Sequence, residues 1–442
     1  MKRLYGEAVH GSTRPWWTEE APLDEAAPPL GEEIEADVTI VGGGFTGLWT
    51  ALSVLERTPE ARVVIVEALR CGDGASGRNG GFLHGYWSSL PRLLDLLGAE
   101  GALELARSGD GMFDAVRALG EDVWLRESGM LMVSTCPAHD AVVRRAVEVA
   151  EQLGVPEQAL FVDAGDVSVR SPAFGSAVHW RDGATVQPAR LVRALRRAVL
   201  RAGARLYEGT PALSVDAGRV VTAGGAVRTR EIVLGTNAAA ARWPANRRLA
   251  VFRSAIVLTE PVPDLTERIG WEDGAAVFDG RTYLDYFRPT NDGRVLMGSA
   301  SGEPARAEHA LRTLFPALRD VRISHRWEGA IDVSSDRFPF VATVPGTRVH
   351  YAAGFTGNGV GPTWIAGGLL ASLALGDEAI SPLARREPAV LPPEPLRSLG
   401  ARLVRSALLA IDDAECAGKR PPATARAFAR LPELVGLRVA SR

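Results

Sequence analysis

Lysine is nearly missing from this chain of 442 residues: it stands at Lys2 and Lys419, and every other member of a basic set of 50 is arginine. A Schiff-base lysine, or a lysine that activates oxygen, would have to come from one of those two positions, so chemistry of that kind is not expected. Cysteine is scarce as well. Cys71, Cys136 and Cys416 are far apart, odd in number and free of CxxC or Cys/His spacing. Neither a disulfide framework nor a zinc site is expected from them, no other metal is expected, and the three read as plain buried or half-buried thiols. No apolar run approaches the roughly 20 residues of a membrane-spanning helix, and the secretory pattern of basic segment, apolar core and small-residue cleavage site is lacking; a cytoplasmic protein is expected. A formal net charge of -3 offers no basic face for nucleic-acid phosphates, so the expected ligand is a small molecule. Nucleophile elbow, paired-carboxylate motif and HExxH are all missing, so no acid-base triad is expected to carry the chemistry.

What is present begins at Asp37-Val38-Thr39-Ile40-Val41, an apolar β-type run that breaks into Gly42-Gly43-Gly44-Phe45-Thr46-Gly47 and then into a helix-forming stretch. Glycine is required at three places: Gly42 for the tight turn, Gly44 so that backbone can approach a pyrophosphate, and Gly47 so that helix packs closely on strand. Phosphates then sit at the positive end of the helix. The acidic residue that should close the second strand is Glu67, at the end of Arg62-Val63-Val64-Ile65-Val66 and beside Ala68. Its spacing from the glycines is that of a ribose-binding carboxylate in a βαβ unit. Dinucleotide binding follows. The length exceeds what one core supports, so two domains are expected.

Further along, Ala75-Ser76-Gly77-Arg78-Asn79-Gly80-Gly81-Phe82 carries little side chain, lets backbone amides approach a flat or anionic ligand, and holds one full charge, Arg78. Leu90, Leu93, Leu94 and Leu97 share a helical face, a strand is expected over 129–135, and helices over 139–153 and, behind Gln187-Pro188, to Ala202. The run Ile232-Val233-Leu234-Gly235-Thr236-Asn237-Ala238 is a buried-type strand that ends in small and polar residues. Thr290-Asn291-Asp292-Gly293 is a turn between Tyr283–Arg288 and Arg294–Met297, which predicts a hairpin in an antiparallel unit. Tyr286 and Arg288 share parity on that strand and so one face, where arginine is placed to bind an acidic group of a substrate. His325, Trp327 and Asp332 precede, and His84 follows, glycine-rich segments; each is a substrate-side candidate. Finally Gly354-Phe355-Thr356-Gly357-Asn358-Gly359-Val360-Gly361-Pro362 leads into an apolar helix, an amide-rich N-terminus suited to developing negative charge.

Taken in order, IVGGGFTGL at 40–48, Glu67, ASGRNGG at 75–81, VQPARLVRALR at 186–196, EGTPALSV at 208–215, IVLGTNA at 232–238 and AAGFTGNGVGPT at 352–363 resemble the FAD-dependent amine and amino acid oxidoreductases of the D-amino acid oxidase, glycine oxidase and sarcosine oxidase type. ASGRNGG with the proline-rich arm, and the tail from Pro392 to Arg420, look most like the gamma-glutamylputrescine oxidase and aminophosphonate oxidoreductase branch. The resemblance implies an α/β protein with a Rossmann-like FAD-binding domain of glutathione-reductase type and an interleaved substrate domain of antiparallel β-sheet plus helices. The boundaries read as an arm at 1–35, an FAD-binding domain at 36–90, 155–245 and 326–380, a substrate domain at 91–154 and 246–325, and a helical tail at 381–442. It further implies that Gly42 to Gly47 hold the pyrophosphate, Glu67 the adenosine ribose and Ala212 the adenine, with Arg78–Gly81 and Gly354–Gly361 flanking the isoalloxazine.

The implied reaction is hydride transfer from the carbon bearing a small amine or amino acid nitrogen to flavin N5, then hydrolysis of the imine, with O2 or a quinone or other carrier taking the electrons. Two departures from the family pattern stand out. Asn358 replaces a histidine common among relatives, and 326–344 contains no cysteine, which excludes the flavin tether of the sarcosine oxidases. Cys71, beside the first flavin loop, reads as an idle thiol.

Overall fold

Strand Glu33–Val41 carries the βαβ unit that the sequence outlines. It pairs in parallel with Val63–Val66 on one side and Ala226–Leu234 on the other. The fully buried Val63–Val66 run and the buried end of Glu33–Val41 fit a sheet covered on both faces. Helix Phe45–Arg57 covers one face beside helix Pro362–Leu375. The two backbones approach closely at Gly367, where a Cβ would lie 2.7 Å from Cβ of Trp49. The sheet runs in the order Phe340–Thr343, Val349–Ala353, Ala226–Leu234, Glu33–Val41, Val63–Val66 and Arg205–Tyr207, with Arg219–Val221 and Ser214–Asp216 attached to Ala226–Leu234.

The molecule is described by a computed structural model over residues 13–434, apart from 217 and 246. Residues 1–12 of the arm, Lys2 among them, and 435–442 of the tail lie outside the described residues.

A second sheet of eight strands runs Ile323–Ser334, Leu249–Thr259, Val295–Ser299, Asp285–Pro289, Ala276–Asp279, Met130–Val133, Ala177–Trp180 and Ala159–Val162. The hairpin around 290–293 lies at its centre. The sheet is antiparallel except between Ala276–Asp279 and Met130–Val133, which pair in parallel. Three strands therefore fall in a different sheet from the one expected. Ala159–Val162 and Ala177–Trp180, placed by sequence in the FAD-binding unit, belong to this sheet, and Ile323–Ser334 pairs along Leu249–Thr259 well beyond residue 326. Such short strands show their partners only once distant segments meet.

The arm is buried in part. Helix Trp16–Glu20 places Trp17, fully buried, edge-on to Trp327 and under the guanidinium of Arg288. Its indole N–H donates to the Asn79 carbonyl at 2.9 Å, and Gln187 Nε2 donates to its carbonyl at 2.7 Å. The arm thus joins the glycine-rich loop to the second sheet. Among the described residues no helix is long and apolar enough to cross a membrane.

Candidate flavin and substrate site

The turn at 42–47 opens into a cavity of about 790 Å³, within the range of roughly 300–1,000 Å³ usual for small-molecule sites. Gly42 adopts φ 113°, and a Cβ there would lie 2.5 Å from the Gly235 carbonyl oxygen; no other residue fits that turn. Gly47 packs helix on strand, its hypothetical Cβ 3.0 Å from Ile40 Cγ2. Gly44 precedes helix Phe45–Arg57 and supplies no side chain to cap it, while Ser76 Oγ accepts the Phe45 N–H at 2.9 Å. The amides of the first turn beyond Phe45 are left to an anion. Glu67 accepts the Gly43 N–H at 2.7 Å and the Leu69 N–H at 2.9 Å. Burial pushes its carboxyl up against the pull of those two donors.

Gly42, Gly44, Phe45 and Thr46 line the cavity, as do Glu67, Ala68, Ala75, Ser76, Arg78, Asn79, Gly80 and Phe82. Ala212, Thr236 and Asn237 join them, with Phe355, Thr356, Gly357, Asn358, Gly359 and Val360 from the last glycine-rich segment. Gly43, Gly47, Gly81, Ala238, Gly354 and Gly361 stand behind this wall and shape it. Gly361, for example, would carry a Cβ only 2.1 Å from the His84 carbonyl oxygen, and Gly354 donates its N–H to Asp332 at 2.5 Å. Arg78 spends its guanidinium on the carbonyls of Asp73 and Thr13, at 3.0 and 2.7 Å.

Polar groups without partners gather at this cavity. Among the described residues, the buried and unpartnered Tyr86 Oη, Arg92 Nε, Trp180 Nε1, Thr236 Oγ1 and Asp332 Oδ1 all belong to lining residues. Stranding a buried polar atom costs about 1–3 kcal/mol, so this clustering marks a ligand site.

The second sheet completes the wall with Met130, Met132, Trp180 and Phe278, and Phe338 joins them from the segment between Ile323–Ser334 and Phe340–Thr343. Arg92 and Arg337 stand in that apolar wall. Arg92 lies over the Phe338 ring at 4.9 Å and donates to the Asp336 carbonyl at 3.0 Å. Burial, and then the neighbouring Arg337, push its pKa down to about 9, which leaves it charged at neutral pH. Arg337 sits at φ 65° and donates to the Thr282 carbonyl at 3.1 Å. Asp336 itself is held by Arg386. His84, also a lining residue, is pushed down to about 4 by burial and so is neutral. Its Nδ1, 3.0 Å from the Gly85 carbonyl, carries the proton.

Asp332 is buried and its carboxyl is pushed up to about 7, chiefly because burial disfavours the charge. An unfolded aspartate loses its proton near 4, so the folded chain holds the extra proton between about pH 4 and 7. Stability should fall as pH rises through that window, by up to about 4 kcal/mol from this one group. Asp332→Asn is expected to remove that fall, read as the difference between variant and parent denaturant midpoints from pH 4.5 to 8. A parallel pH dependence in both proteins would assign the loss to other groups.

Three expected site residues lie elsewhere. Trp327 is buried outside the cavity lining and donates its indole N–H to the Arg78 carbonyl at 2.8 Å. His325 contacts Ser324 Oγ at 2.9 Å and Glu19 at 3.2 Å and does not line the cavity. Arg288 does share a face with Tyr286, but it is 1% exposed and donates to the carbonyls of Gly81 and Val186 at 3.0 and 2.7 Å. It braces the flavin-side loop and is not positioned to meet a substrate acid. Arg288→Met should lower stability by roughly 2–4 kcal/mol, since two buried carbonyls lose their donor, with KM for substrate little changed. A raised KM at unchanged denaturant midpoint would restore its substrate role. Tyr286 does line the cavity, edge-on to Phe82 at 5.5 Å, its hydroxyl 3.1 Å from Ser254 Oγ.

Tyr86, Arg92 and Arg337 were missed, for no local motif marks them. Cys71 is buried against the glycine turn, its thiol pushed up by burial, and is not a lining residue. The other two cysteines are not unrelated thiols, since Cys136 and Cys416 meet beside His139.

A parallel sheet with this glycine turn, joined to a second sheet across a shared cavity, defines a dinucleotide-dependent enzyme. The family described as FAD dependent oxidoreductase matches residues 37–373, and the chain belongs to that family and uses FAD. The chain is 30% identical over 383 residues to the probable oxidoreductase OrdL of Rhizobium meliloti, covering 82% of this chain and 88% of that protein. It is 30% identical over 380 residues to gamma-glutamylputrescine oxidoreductase of Escherichia coli, covering 81% and 87%. Among solved structures, glycine oxidase from Geobacillus kaustophilus superposes with TM-score 0.65 at 23% identity, covering 80% of this chain and 99% of that one. The fold is thus the Rossmann-like FAD-binding domain with a sheet-and-helix partner expected from the sequence.

Proposed function

We propose that this FAD-dependent oxidoreductase is an oxidase that oxidises the C–N bond of a small amine or amino acid bearing an anionic group, with O2 as electron acceptor. In this reading the turn Gly42–Gly47 holds the FAD pyrophosphate, Glu67 the adenosine ribose and Ala212 the adenine. Arg78–Phe82, Thr236–Ala238 and Gly354–Gly361 flank the flavin ring. The residues fit the cofactor: the glycine turn excludes side chains, and Thr236 Oγ1 and Asp332 Oδ1 await partners. Bound there, FAD supplies the hydride acceptor at N5.

The chain's own residues do the rest. Met130, Met132, Trp180, Phe278 and Phe338 make a dry wall against which the substrate C–H is oriented. Neutral His84 places no positive charge against the amine, which must be unprotonated to release hydride. The observation that carries the anionic substrate is the pair Arg92 and Arg337, two guanidinium groups close enough to disfavour one another in that wall. An anion relieves exactly such a pair by charge-assisted hydrogen bonds. The relative that acts on gamma-glutamylputrescine takes an amine of the same general kind. A cytoplasmic location belongs to the proposal and is checked by fractionation.

The acceptor is tested by admitting air to substrate-reduced enzyme. Rapid return of the oxidised spectrum with one peroxide per turnover supports the oxidase. Enzyme that stays reduced in air until a quinone is added makes it a dehydrogenase instead.

A further inference from the structure

Three side chains from two distant segments of the chain meet one layer behind the cavity wall. Cys136 precedes helix Pro137–Gln152, His139 lies in its first turn, and Cys416 ends helix Leu396–Cys416. The two sulfurs are 3.1 Å apart, and Cys416 Sγ is 3.7 Å from His139 Nε2. Their ligand atoms all fall within 4.8 Å, the outline of a three-ligand metal site. The histidine argues against metal. Its Nδ1 lies 3.3 Å from the Thr135 N–H, which can only donate, so Nδ1 holds the lone pair and Nε2 the proton aimed at Cys416. A protonated nitrogen does not ligate, whereas the sulfurs need close by only about 1 Å to reach bonding distance.

We propose that Cys136 and Cys416 form a reversible disulfide, made by hydrogen peroxide, that locks helix Leu396–Cys416 onto the wall of the substrate cavity. The Cys136 sulfur attacks a peroxide oxygen, the O–O bond takes two electrons, and one water leaves with the sulfenic acid formed. Cys416 then attacks that sulfur, the S–S bond forms, and the hydroxyl departs as a second water with the Cys416 proton. Burial, then the neighbouring thiol, push Cys416 up to about 12, which disfavours it as the first attacker; its place 3.1 Å from the Cys136 sulfur makes it the resolving thiol. The proposal rests on the oxidase reading only for the source of peroxide.

The lock has something to hold. Asp412, one turn before Cys416, accepts the N–H groups of Thr282 and Tyr283, each at 3.2 Å. Asp413 pairs with Arg281 at 3.4 Å, and Arg281 and Thr282 line the cavity. Gly280, also lining, packs on His139, where a Cβ would lie 2.7 Å from Cγ.

The test treats FAD-loaded protein with one equivalent of peroxide, then counts thiols in denaturant and maps the peptides. The expected count falls from the three cysteines of the chain to one, Cys71. A joined Cys136–Cys416 peptide two hydrogens lighter should appear, dithiothreitol should reverse it, and amide exchange over 279–284 should slow. Cys416→Ser should stop at a dimedone-reactive Cys136. Three surviving thiols, over-oxidation without a joined peptide, or one zinc per chain that shields the thiols until chelated would overturn it. A second arm supplies peroxide by turnover in air, with and without catalase. Joining by added peroxide but not by turnover upholds the pair and fails the oxidase reading alone.

Discussion

Gly44→Val is expected to yield a folded protein without flavin. Gly44 has φ -88° and ψ -176°, a conformation that valine adopts freely, and the nearest atom to a Cβ there is Ser76 Oγ at 2.9 Å, a single hydroxyl that can move at the expense of its hydrogen bond from the Phe45 N–H. The remaining branches have nowhere to go except the cavity, where the pyrophosphate is proposed to meet the helix amides. Overpacking costs about 1–3 kcal/mol, and each lost hydrogen bond to a charged group about 1.5–3 kcal/mol. FAD affinity should therefore fall on the order of 10³-fold. The measurement is fluorescence titration of FAD into apoprotein, with circular dichroism to show that the fold survives. Gly42→Val is the contrast. Its φ of 113° and the Gly235 oxygen 2.5 Å from a Cβ predict a protein that misfolds before binding can be measured. A Gly44→Val protein that retains yellow colour at parent stoichiometry would move the pyrophosphate away from this turn.

Arg92→Met is expected to raise KM for an amine carrying an acidic group by about ten- to a hundred-fold, the worth of one or two charge-assisted hydrogen bonds. Methionine keeps the contact with Phe338 while the charge is lost. For an amine without the acidic group the change should stay within about threefold, because no ion pair is made, and kcat should hold in both cases if the interaction is equal in ground and transition states. Arg92→Lys keeps charge but not the planar fork, so it should recover only part of the affinity. Equal losses on acidic and neutral amines would show that Arg92 supports the wall mechanically and does not read the substrate.

These two residues also show what was legible before the fold was known. Gly44 declares itself because its neighbours in sequence are its neighbours in space: strand, turn and helix are local, and the chemistry of phosphate at a helix end is written in a few consecutive residues. The helix behind Gln187-Pro188 and the hairpin around Asp292-Gly293 are legible for the same reason. Arg92 carries no such mark. It reaches the cavity through the packing of helix Leu90–Arg107, which bends at Gly98, and becomes a candidate only when Arg337 and Phe338 arrive from far along the chain. Arg288 shows the opposite limit. Strand parity correctly gives its face, but parity says nothing about the Gly81 and Val186 carbonyls that occupy it. Trp17, in a proline-rich arm that offers no helical or strand pattern to place it, is fully buried because its partners Asn79, Gln187 and Trp327 come from three distant segments. Cys136 and Cys416, 280 residues apart, were beyond any spacing rule.

The most direct measurement of the central claim is the absorbance of the FAD-loaded enzyme under anaerobic conditions while amines, amino acids and aminophosphonates are added one at a time. The account predicts that the oxidised flavin band bleaches with an amine bearing an anionic group, one flavin reduced per C–N bond oxidised, and that the matched amine without that group bleaches it far more weakly. A flavin that stays oxidised through the whole panel, yet is reduced readily by dithionite, would contradict it.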